Sequence, residues 1–338
     1  MTNLDAGMTG PQSPQTILEL ASAFMRSRAF LSACELDLFT ALGERARTSA
    51  EVAAELGTDA RATDRLMNAL CTVGVLHKRG ERFCNAAAAT RFLVRGAPDY
   101  MDGLMHWVHL WESWSTLTPA VRKGASVIEP AVNERGEEWL RSFIAAMHWR
   151  AYQHAPEVVA ALNLNGVARV LDVGGGSGAY AMAFVRARPA LVATVFDLPN
   201  VLPLTARYVQ RAGLQDRVTL VAGDYDTEEL GRGFDLVFLS AIIHSNSPRG
   251  NRDLIRKGVA ALNPAGQLVV QDFIVDDGRI SPPFAVLFAL NMLVGTRGGD
   301  TYTEAEVRQW MLDAGLAGVA RVDTSFGTSL IVGRLGDV

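Results

Sequence analysis

Short β-rich segments alternate with helical segments through the second half of the chain, and no other feature of the sequence constrains the fold as strongly. In chain order, the predicted strands are Ala168–Val173, Leu191–Asp197, Val218–Ala222, Phe234–Ser240 and Gln267–Val275. Strands that alternate with helices form a parallel sheet covered on both faces, and such sheets bind ligands at the carboxyl ends of their strands. The loops that follow these strands are therefore where a functional site is expected.

The last segment of the chain predicts a different kind of strand pairing. A helix over Thr303–Ala314 ends at Gly315, and two short strands follow at Ala320–Thr324 and Ser329–Val332. A terminal hairpin of this kind adds an antiparallel edge to a parallel sheet. The fold class predicted for the second half is thus α/β, Rossmann-like, with a seven-stranded, mostly parallel sheet and a C-terminal antiparallel hairpin.

A glycine-rich loop follows the first predicted strand and opens a helix. It contains Asp172 and the glycines Gly174, Gly175, Gly176 and Gly178. Glycines let backbone N–H groups approach a ligand closely, and a helix N-terminus favours an anionic group. Asp197 ends the next strand, where a carboxylate can accept hydrogen bonds from both hydroxyls of a ribose. The pattern predicts an adenosine-containing ligand.

The local spacing leaves more than one adenosine ligand open. Gly174, Gly176 and Ala179 also satisfy the looser dinucleotide fingerprint, whereas no Gly-Lys-Ser/Thr sequence of a Walker loop occurs. At the end of the third strand stand Gly223, Asp224 and Tyr225. There a carboxylate could accept from an adenine amino group and an aromatic ring could stack on the base.

The first half of the chain is predicted to be mainly helical. Helices with broad apolar faces fill Thr16–Leu42, a capping box at Thr48–Glu51 opens a helix that ends at Gly57, and another helix runs over Ala60–Thr72. A short hairpin follows, so the unit resembles a winged helix-turn-helix. Seven basic and six acidic residues nearly balance between residues 44 and 82. A phosphate-tracking surface needs a basic stripe, so packing or dimerisation is favoured over a ligand-sensing DNA-binding role.

Composition excludes several classes of function. Apolar residues make up 49% and charged residues 20%, and the net charge is −4, which favours a globular protein without a global positive field for nucleic acid or membranes. The three cysteines lack CxxC spacing, and His106, His109 and Glu112 lack an HExxH context, so no metal site is expected. The longest apolar stretch, Pro283–Gly295, is too short to span a bilayer. A cytoplasmic location is expected.

The motifs together resemble the class I S-adenosylmethionine-dependent small-molecule O-methyltransferases, a family that includes caffeate and acetylserotonin methyltransferases and bacterial antibiotic-tailoring enzymes. The matching stretches cover nearly the whole chain after residue 15: Val170–Gly178, Phe196–Pro199, Gly223–Tyr225, Phe234–Val237, Leu262–Gly266 and Tyr302–Glu306. The resemblance implies S-adenosylmethionine as cofactor and an intertwined homodimer. The expected divisions are a disordered tail (1–15), a winged-helix dimerisation domain (16–98), a helical pocket segment (99–160) and a cofactor domain (161–338).

The resemblance also implies roles for individual residues. His244 matches the position of the family's general base, and Asp272 matches an acidic residue that orients it. Cofactor contacts are expected from Asp172, Gly174, Gly175, Gly176, Gly178, Asp197, Leu198, Gly223, Asp224, Tyr225 and Ser240. The chain departs from the family where Ser245 and Asn246 replace Asp-Trp and Thr301 replaces a second acidic residue. Methylation of carbon or nitrogen, or a non-methylating use of the cofactor, therefore stays open as an alternative.

The acceptor is expected between the helices of Met101–Tyr152 and the helix Pro283–Gly295. The candidate lining residues are apolar or aromatic with one amide: Phe143, Met147, Phe288, Asn291 and Met292. Such a lining suits a flat aromatic or polyketide-like molecule, as in the biosynthesis of natural products. The predicted reaction is transfer of a methyl group to a hydroxyl of that molecule.

Overall fold

The computed structural model describes residues 13–128 and 136–336 of the chain. These residues form two compact units, which divide between Val108 and His109. Most of the expected tail, up to residue 12, lies outside the described residues. Its last two residues, Pro14 and Gln15, already belong to the first helix, which a capping box at Ser13 opens.

The first unit combines helices with a small antiparallel sheet. Its helices are α1 (Pro14–Ser22), α2 (Phe24–Glu35), α3 (Leu38–Leu42), α4 (Ser49–Leu56), α5 (Ala60–Val73) and α6 (Ala87–Leu93), and its strands are β1 (Arg47–Thr48), β2 (Leu76–Arg79) and β3 (Arg82–Asn85). The strands pair in the order β1-β3-β2. Helices α4 and α5, followed by this wing, have the predicted winged-helix arrangement.

Local sequence explains why α4 begins and ends where it does. The Thr48 side chain accepts from the Glu51 backbone N–H, the Glu51 side chain accepts from Thr48, and Gly57 ends the helix in the left-handed conformation. The predicted hairpin is formed by β2 and β3, with Arg79 paired to Arg82 and Gly80 and Glu81 as the turn.

The second unit is built on a seven-stranded sheet. Helix α7 (Leu104–Trp114) runs across the division, and the remaining helices are α8 (Leu117–Lys123), α9 (Glu137–Ala160), α10 (Ala179–Ala187), α11 (Leu202–Arg211), α12 (Pro248–Ala261), α13 (Pro283–Gly295) and α14 (Glu304–Asp313). The strands are β4 (Arg169–Val173), β5 (Val192–Asp197), β6 (Val218–Ala222), β7 (Phe234–Ser240), β8 (Leu262–Asp272), β9 (Ile274–Val275), β10 (Tyr302–Thr303), β11 (Leu316–Asp323) and β12 (Ser329–Leu335). The order of the large sheet is β11-β12-β8-β7-β4-β5-β6.

The pairing confirms the predicted topology. The strands from β8 to β6 run parallel to their neighbours, whereas β12 is antiparallel to both β8 and β11. Side chains of one strand alternate between two apolar layers: Leu171 and Leu239 face one, and Val170 and Phe238 face the other. Burial of each such side chain contributes about 1.5–3 kcal/mol, which holds the helices against both faces.

The fifth parallel strand differs from the prediction at its end. The predicted strand Gln267–Val275 begins earlier, at Leu262, and is interrupted at Phe273. The Phe273 backbone N–H donates to Asp272 Oδ1 at 2.8 Å instead of to a neighbouring strand. Beyond the break, β9 pairs in parallel with β10. Asp272 and Phe273 are therefore held at the carboxyl end of the sheet.

Helix α13 has the predicted bounds and is strongly apolar. Within the described ranges, no helix is both long and apolar enough to cross a membrane.

Candidate active site

The glycine-rich loop lies at the carboxyl end of the central strand β4. Gly174, Gly176 and Gly178 have positive φ, and Gly178 begins helix α10. A Cβ on Gly175 would lie 2.8 Å from the Asp172 carboxyl, closer than real Cβ atoms approach. The loop therefore depends on glycine both for its conformation and for close packing on the carboxylate beneath it.

Asp172 supports this loop from below. It has no exposed surface, its Oδ2 accepts from the Ala181 backbone N–H at 3.1 Å, and its Oδ1 is buried without a partner among the described residues. Burial raises the pKa of Asp172 to about 7. The unpartnered oxygen is a hydrogen-bond acceptor directly beneath the loop, as a bound amine or hydroxyl would require.

Asp197 ends β5 beside the same loop. Its Oδ2 accepts from the Gly176 N–H and its Oδ1 from the Leu198 N–H, each at 2.7 Å. Burial raises the pKa of Asp197 to about 6, although both N–H groups act in the opposite direction. Each carboxylate oxygen has a second lone pair, so two further donors can be accepted. This geometry fits a ribose whose two hydroxyls face the loop.

The predicted segment Gly223–Tyr225, which follows β6, lies next to Asp197. The Gly223 N–H donates to the Asp197 carbonyl at 3.0 Å, which ties the ends of β5 and β6 together. Asp224 is half-buried and accepts from the Asp226 N–H at 2.9 Å. Tyr225 packs against the core, and its hydroxyl donates to Asn246 Oδ1 at 3.2 Å. The hydrogen bond to Asn246 thus ties this stretch to the loop that follows β7.

A buried histidine and carboxylate face each other across the ends of β7 and β8. His244 Nδ1 lies 2.8 Å from Asp272 Oδ1, and the His244 backbone N–H donates to Asp272 Oδ2 at 3.3 Å. Because the carboxylate only accepts, Nδ1 carries the proton and Nε2 is the acceptor. Ala241, with φ of 52°, turns the chain out of β7 into the short 3₁₀ turn that carries His244. The pair has the geometry of a base and the group that orients it.

Aromatic side chains surround this pair. Phe288 of α13 meets the His244 ring edge-on with ring centres 4.9 Å apart, and Phe273 lies 4.6 Å from Phe288. On the same helix, Asn291 Oδ1 accepts from Trp114 Nε1 at 2.9 Å, and Met292 is buried. The structure therefore brings Phe288 to His244, while Asn291 Oδ1 is bonded to Trp114.

Helix α9 carries the other predicted acceptor residues. Phe143 stacks on Trp139 with ring centres 5.2 Å apart, and Met147 is half-buried one turn further along. Below the loop region, the Ser240 hydroxyl donates to Gln271 Oε1 at 2.6 Å. Ser240 thus joins β7 to β8.

Two residues of α9 were missed by the sequence analysis. His148 Nδ1 lies 2.8 Å from Ser177 Oγ of the glycine-rich loop, its ring stacks on Tyr208, and burial lowers its pKa to about 4. Arg150 stacks over Phe273. The signal that could have found Arg150 is its spacing, because Phe143, Met147 and Arg150 recur at i, i+4 and i+7 on one helical face.

Two of the residues that depart from the family pattern are held within the second unit. Asn246 binds Tyr225 and Asn251 through its side chain, and Thr301 is buried. No group of three or more His, Cys, Asp or Glu side chains within residues 13–128 and 136–336 could hold a metal ion.

Comparison with known proteins gives consistent matches over the whole chain. A family model described as an O-methyltransferase domain matches residues 120–317, and one described as an O-methyltransferase dimerisation domain matches residues 18–95. The 3-hydroxy-5-methyl-1-naphthoate 3-O-methyltransferase of Streptomyces sahachiroi is 34% identical over 91% of each chain. The tetracenomycin polyketide synthesis 8-O-methyl transferase of Streptomyces glaucescens is 33% identical over 96% of this chain and 98% of its own. The solved structure of PigF with S-adenosylhomocysteine superposes with a TM-score of 0.89 at 25% identity, covering 95% of this chain and 99% of PigF.

Proposed function

Because the chain belongs to the S-adenosylmethionine-dependent O-methyltransferase family, we propose that it methylates a hydroxyl of an aromatic small molecule, with His244 as the general base. The observation that carries the proposal is the buried contact of 2.8 Å between His244 Nδ1 and Asp272. A sulfonium cofactor supplies an electrophilic methyl group when it is bound. The residues around the site must then orient the acceptor and remove its proton.

His244 performs the proton transfer through its free ring nitrogen. A phenol with a pKa of about 10 is mostly neutral at pH 7, so a base that accepts its proton accelerates the reaction by about 10²- to 10⁴-fold. Asp272 holds Nδ1 and thereby keeps Nε2 available as the acceptor. Asp272 is a positioning residue, because it acts on the acceptor only through His244.

The cofactor is held by the ends of β4, β5 and β6. Asp197 accepts the ribose hydroxyls, the backbone of Gly174–Gly178 borders the amino-acid portion, and Asp172 supports that backbone. Leu198 and the segment Gly223–Tyr225 border the nucleoside, with Asp224 and Tyr225 beside the adenine. Ser240, which joins β7 to β8, completes the set near the methionyl end.

The acceptor is an aromatic or polyketide-like molecule of natural-product biosynthesis. The relatives with the highest identity reported above are named for a naphthoate and for a tetracenomycin polyketide, both aromatic acceptors. Phe143 and Met147 of α9 and Phe288 of α13 would offer apolar surface to a flat ring, with Asn291 and Met292 on the same helix as Phe288. Ring stacking against such side chains suits a planar acceptor.

The N-terminal unit serves assembly. The match to a dimerisation domain supports a homodimer, and α1 and α2 carry exposed apolar side chains that a second subunit would cover: Ile17, Leu18, Leu20, Phe24 and Met25. We place the domain limits at 16–98, 99–160 and 161–338, and the protein in the cytoplasm.

The direct test supplies methyl-labelled S-adenosylmethionine with a panel of phenols, catechols, enols and amines. The proposal expects label on the oxygen of aromatic hydroxyls, located by mass spectrometry of the product. Label on carbon or nitrogen would contradict O-methylation and would show that the protein methylates those atoms instead. Absence of transfer to every aromatic hydroxyl would contradict the proposed acceptor class.

A further inference from the structure

Arg150 of α9 is a cation in an apolar, aromatic part of the second unit. Its guanidinium carbon lies 4.5 Å from the centre of the Phe273 ring and 5.7 Å from that of Phe284. The residue is half-buried, and burial lowers its pKa, an effect that the nearby Tyr180 and Asp272 partly oppose. Arginine is this much buried in proteins mainly where it has an anionic partner.

No such partner is bonded to Arg150 within the described ranges. None of the residues there forms a hydrogen bond or ion pair with its guanidinium, which stacks on the two aromatic rings and has Tyr180 and the Asp272 carboxylate as nearby polar groups. The Asp272 carboxylate already accepts from His244 and from the Phe273 N–H. Other arginines of the second unit that are half-buried, such as Arg308, bind carboxylates or carbonyls. Stacking occupies the face of the guanidinium and leaves its in-plane N–H donors available. Those donors form a fork that matches a carboxylate.

The position of Arg150 links it to the acceptor rather than to the cofactor. Phe273, on which it stacks, follows Asp272 directly and contacts Phe288, whose ring meets the base His244. Arg150 also continues the helical face of Phe143 and Met147. Most of the proposed cofactor residues lie at the ends of β4, β5 and β6, whereas Phe273 follows β8, two strands away from β4. Ser240, at the end of β7, is the exception, and Tyr180 of α10 is also near Arg150.

From this geometry we infer that Arg150 binds a carboxylate of the acceptor, so that the preferred substrate is an aromatic hydroxy acid. The inference rests on the proposed function, because it names the substrate class of the same site. The rings of Phe273 and Phe288 connect the cation to the base, because Phe273 contacts both Arg150 and Phe288, and Phe288 contacts His244. An acceptor bound along these rings would be anchored at its acid group and would present its hydroxyl to His244 Nε2.

The test compares binding of 1-naphthoate and 1-naphthamide to the full chain saturated with S-adenosylhomocysteine, by titration calorimetry. The two probes share ring and shape but differ in charge, and neither can be methylated on a hydroxyl. The wild type should bind the acid about 10- to 100-fold more tightly than the amide, as expected for charge-assisted hydrogen bonds. R150M should lose this preference, and R150K should retain part of it because the charge remains without the fork.

A matched control and a second measurement keep the test decisive. R141M removes an exposed arginine from the same helix, where it pairs with Glu137, and should leave the preference unchanged. The affinity of R150M for S-adenosylhomocysteine should equal that of the wild type. If the wild type shows no preference for the acid, the inference is overturned without any variant, even if R150M fails to fold.

Two further outcomes separate the inference from its alternatives. A large loss of S-adenosylhomocysteine affinity in R150M with an unchanged acid preference would show that the guanidinium binds the carboxylate of the cofactor, which overturns the inference. An acid preference that depends on Arg150 supports it even if no phenol accepts a labelled methyl group. In that case the proposed function fails and the anionic ligand site stands.

Discussion

At the scale of single residues, the site depends on carboxylates whose burial is offset by specific donors. Asp272 faces His244, Asp197 faces two backbone N–H groups, and Asp172 lies beneath the glycine-rich loop with one oxygen unpartnered. A buried carboxylate without such partners costs several kcal/mol, so their presence together at the strand ends is a property of a site rather than of a core.

Asp197 gives the first prediction. An ionised carboxylate is needed to accept two ribose hydroxyls, and burial raises the pKa of Asp197 to about 6. Affinity for S-adenosylhomocysteine should therefore fall as the pH decreases from 8 to 5. Asp172, whose pKa is about 7, contributes in the same direction. In the Asp197→Asn variant the affinity at pH 8 should be about 10- to 100-fold lower, equivalent to ~1.5–3 kcal/mol, with a shallower pH dependence measured by calorimetry.

Stability provides the control for this variant. The pKa of Asp197 is about 6 in the folded protein and about 4 in the unfolded chain. Its protonated form therefore stabilises the ligand-free fold below about pH 4, and this contribution is lost as the pH rises through about 6. Replacement by Asn removes the cost of burying a charge but also removes one of the two acceptors for the Gly176 and Leu198 N–H groups. Because these effects oppose each other, thermal unfolding of the ligand-free variant at pH 8 should stay close to the wild-type temperature. A variant that unfolds much earlier and binds ligand normally would contradict the assignment.

At the level of elements, segments from distant parts of the second unit hold the proposed base, His244, in place. The chain before β10 packs against the turn that carries His244: the Asp300 N–H donates to the His244 carbonyl at 3.0 Å. A Cβ on Gly299 would lie 2.3 Å from that carbonyl oxygen, whereas a Cβ on Gly298 would have its nearest neighbour at 3.4 Å, on Ser247. Because the two glycines are adjacent, an alanine substitution at Gly298 is a matched control for the same substitution at Gly299.

The prediction is that Gly299→Ala displaces the His244 turn and Gly298→Ala does not. The clash should destabilise the fold by about 1–3 kcal/mol and lower kcat at least about 10-fold, since small displacements of a catalytic group are costly. Affinity for S-adenosylhomocysteine should fall much less than kcat, because this turn meets the proposed cofactor segment through the single hydrogen bond from Tyr225 to Asn246. Turnover and thermal unfolding measured for both variants decide the point, and equal behaviour of the pair would refute it.

The elements also show what the sequence can and cannot predict. Apolar periodicity and turn residues predict most strands, the capping box at Thr48 and helix α13 to within a few residues, because these features depend on neighbours in the chain. The break at Phe273 was not predicted, since it depends on a side-chain hydrogen bond of Asp272 that replaces a ladder contact. The parts played by His148 and Arg150 were missed for a similar reason. Their partners Ser177 and Phe273 lie far along the chain and meet them only through packing.

At the scale of the whole molecule, the apolar surface of α1 and α2 indicates assembly. Leu18 and Leu20 are 62% and 70% exposed on a helix with no buried residue of its own. Isolated short helices are marginal in water, so α1 is expected to be stabilised by a second subunit.

The corresponding prediction is that Leu18→Glu together with Leu20→Glu weakens the homodimer. Burying two charges in an apolar interface is unfavourable, so sedimentation should show a shift from dimer towards monomer. Glu19→Gln, between the two positions, is the control and should leave the association unchanged. A wild-type chain that sediments as a monomer would contradict the proposed assembly.

His244 is proposed to remove the proton of the acceptor hydroxyl. Acceptors whose hydroxyl groups differ in acidity test this role directly. Turnover by His244→Gln and by the wild type is compared for an ordinary phenol and for a nitro-substituted phenol that is already ionised at the assay pH. With the ordinary phenol the variant should be slower by about 10²- to 10⁴-fold. With the ionised phenol it should approach the wild-type rate, because no proton has to be removed. Equal losses for both phenols, or no loss for either, would contradict the role of His244 as the base.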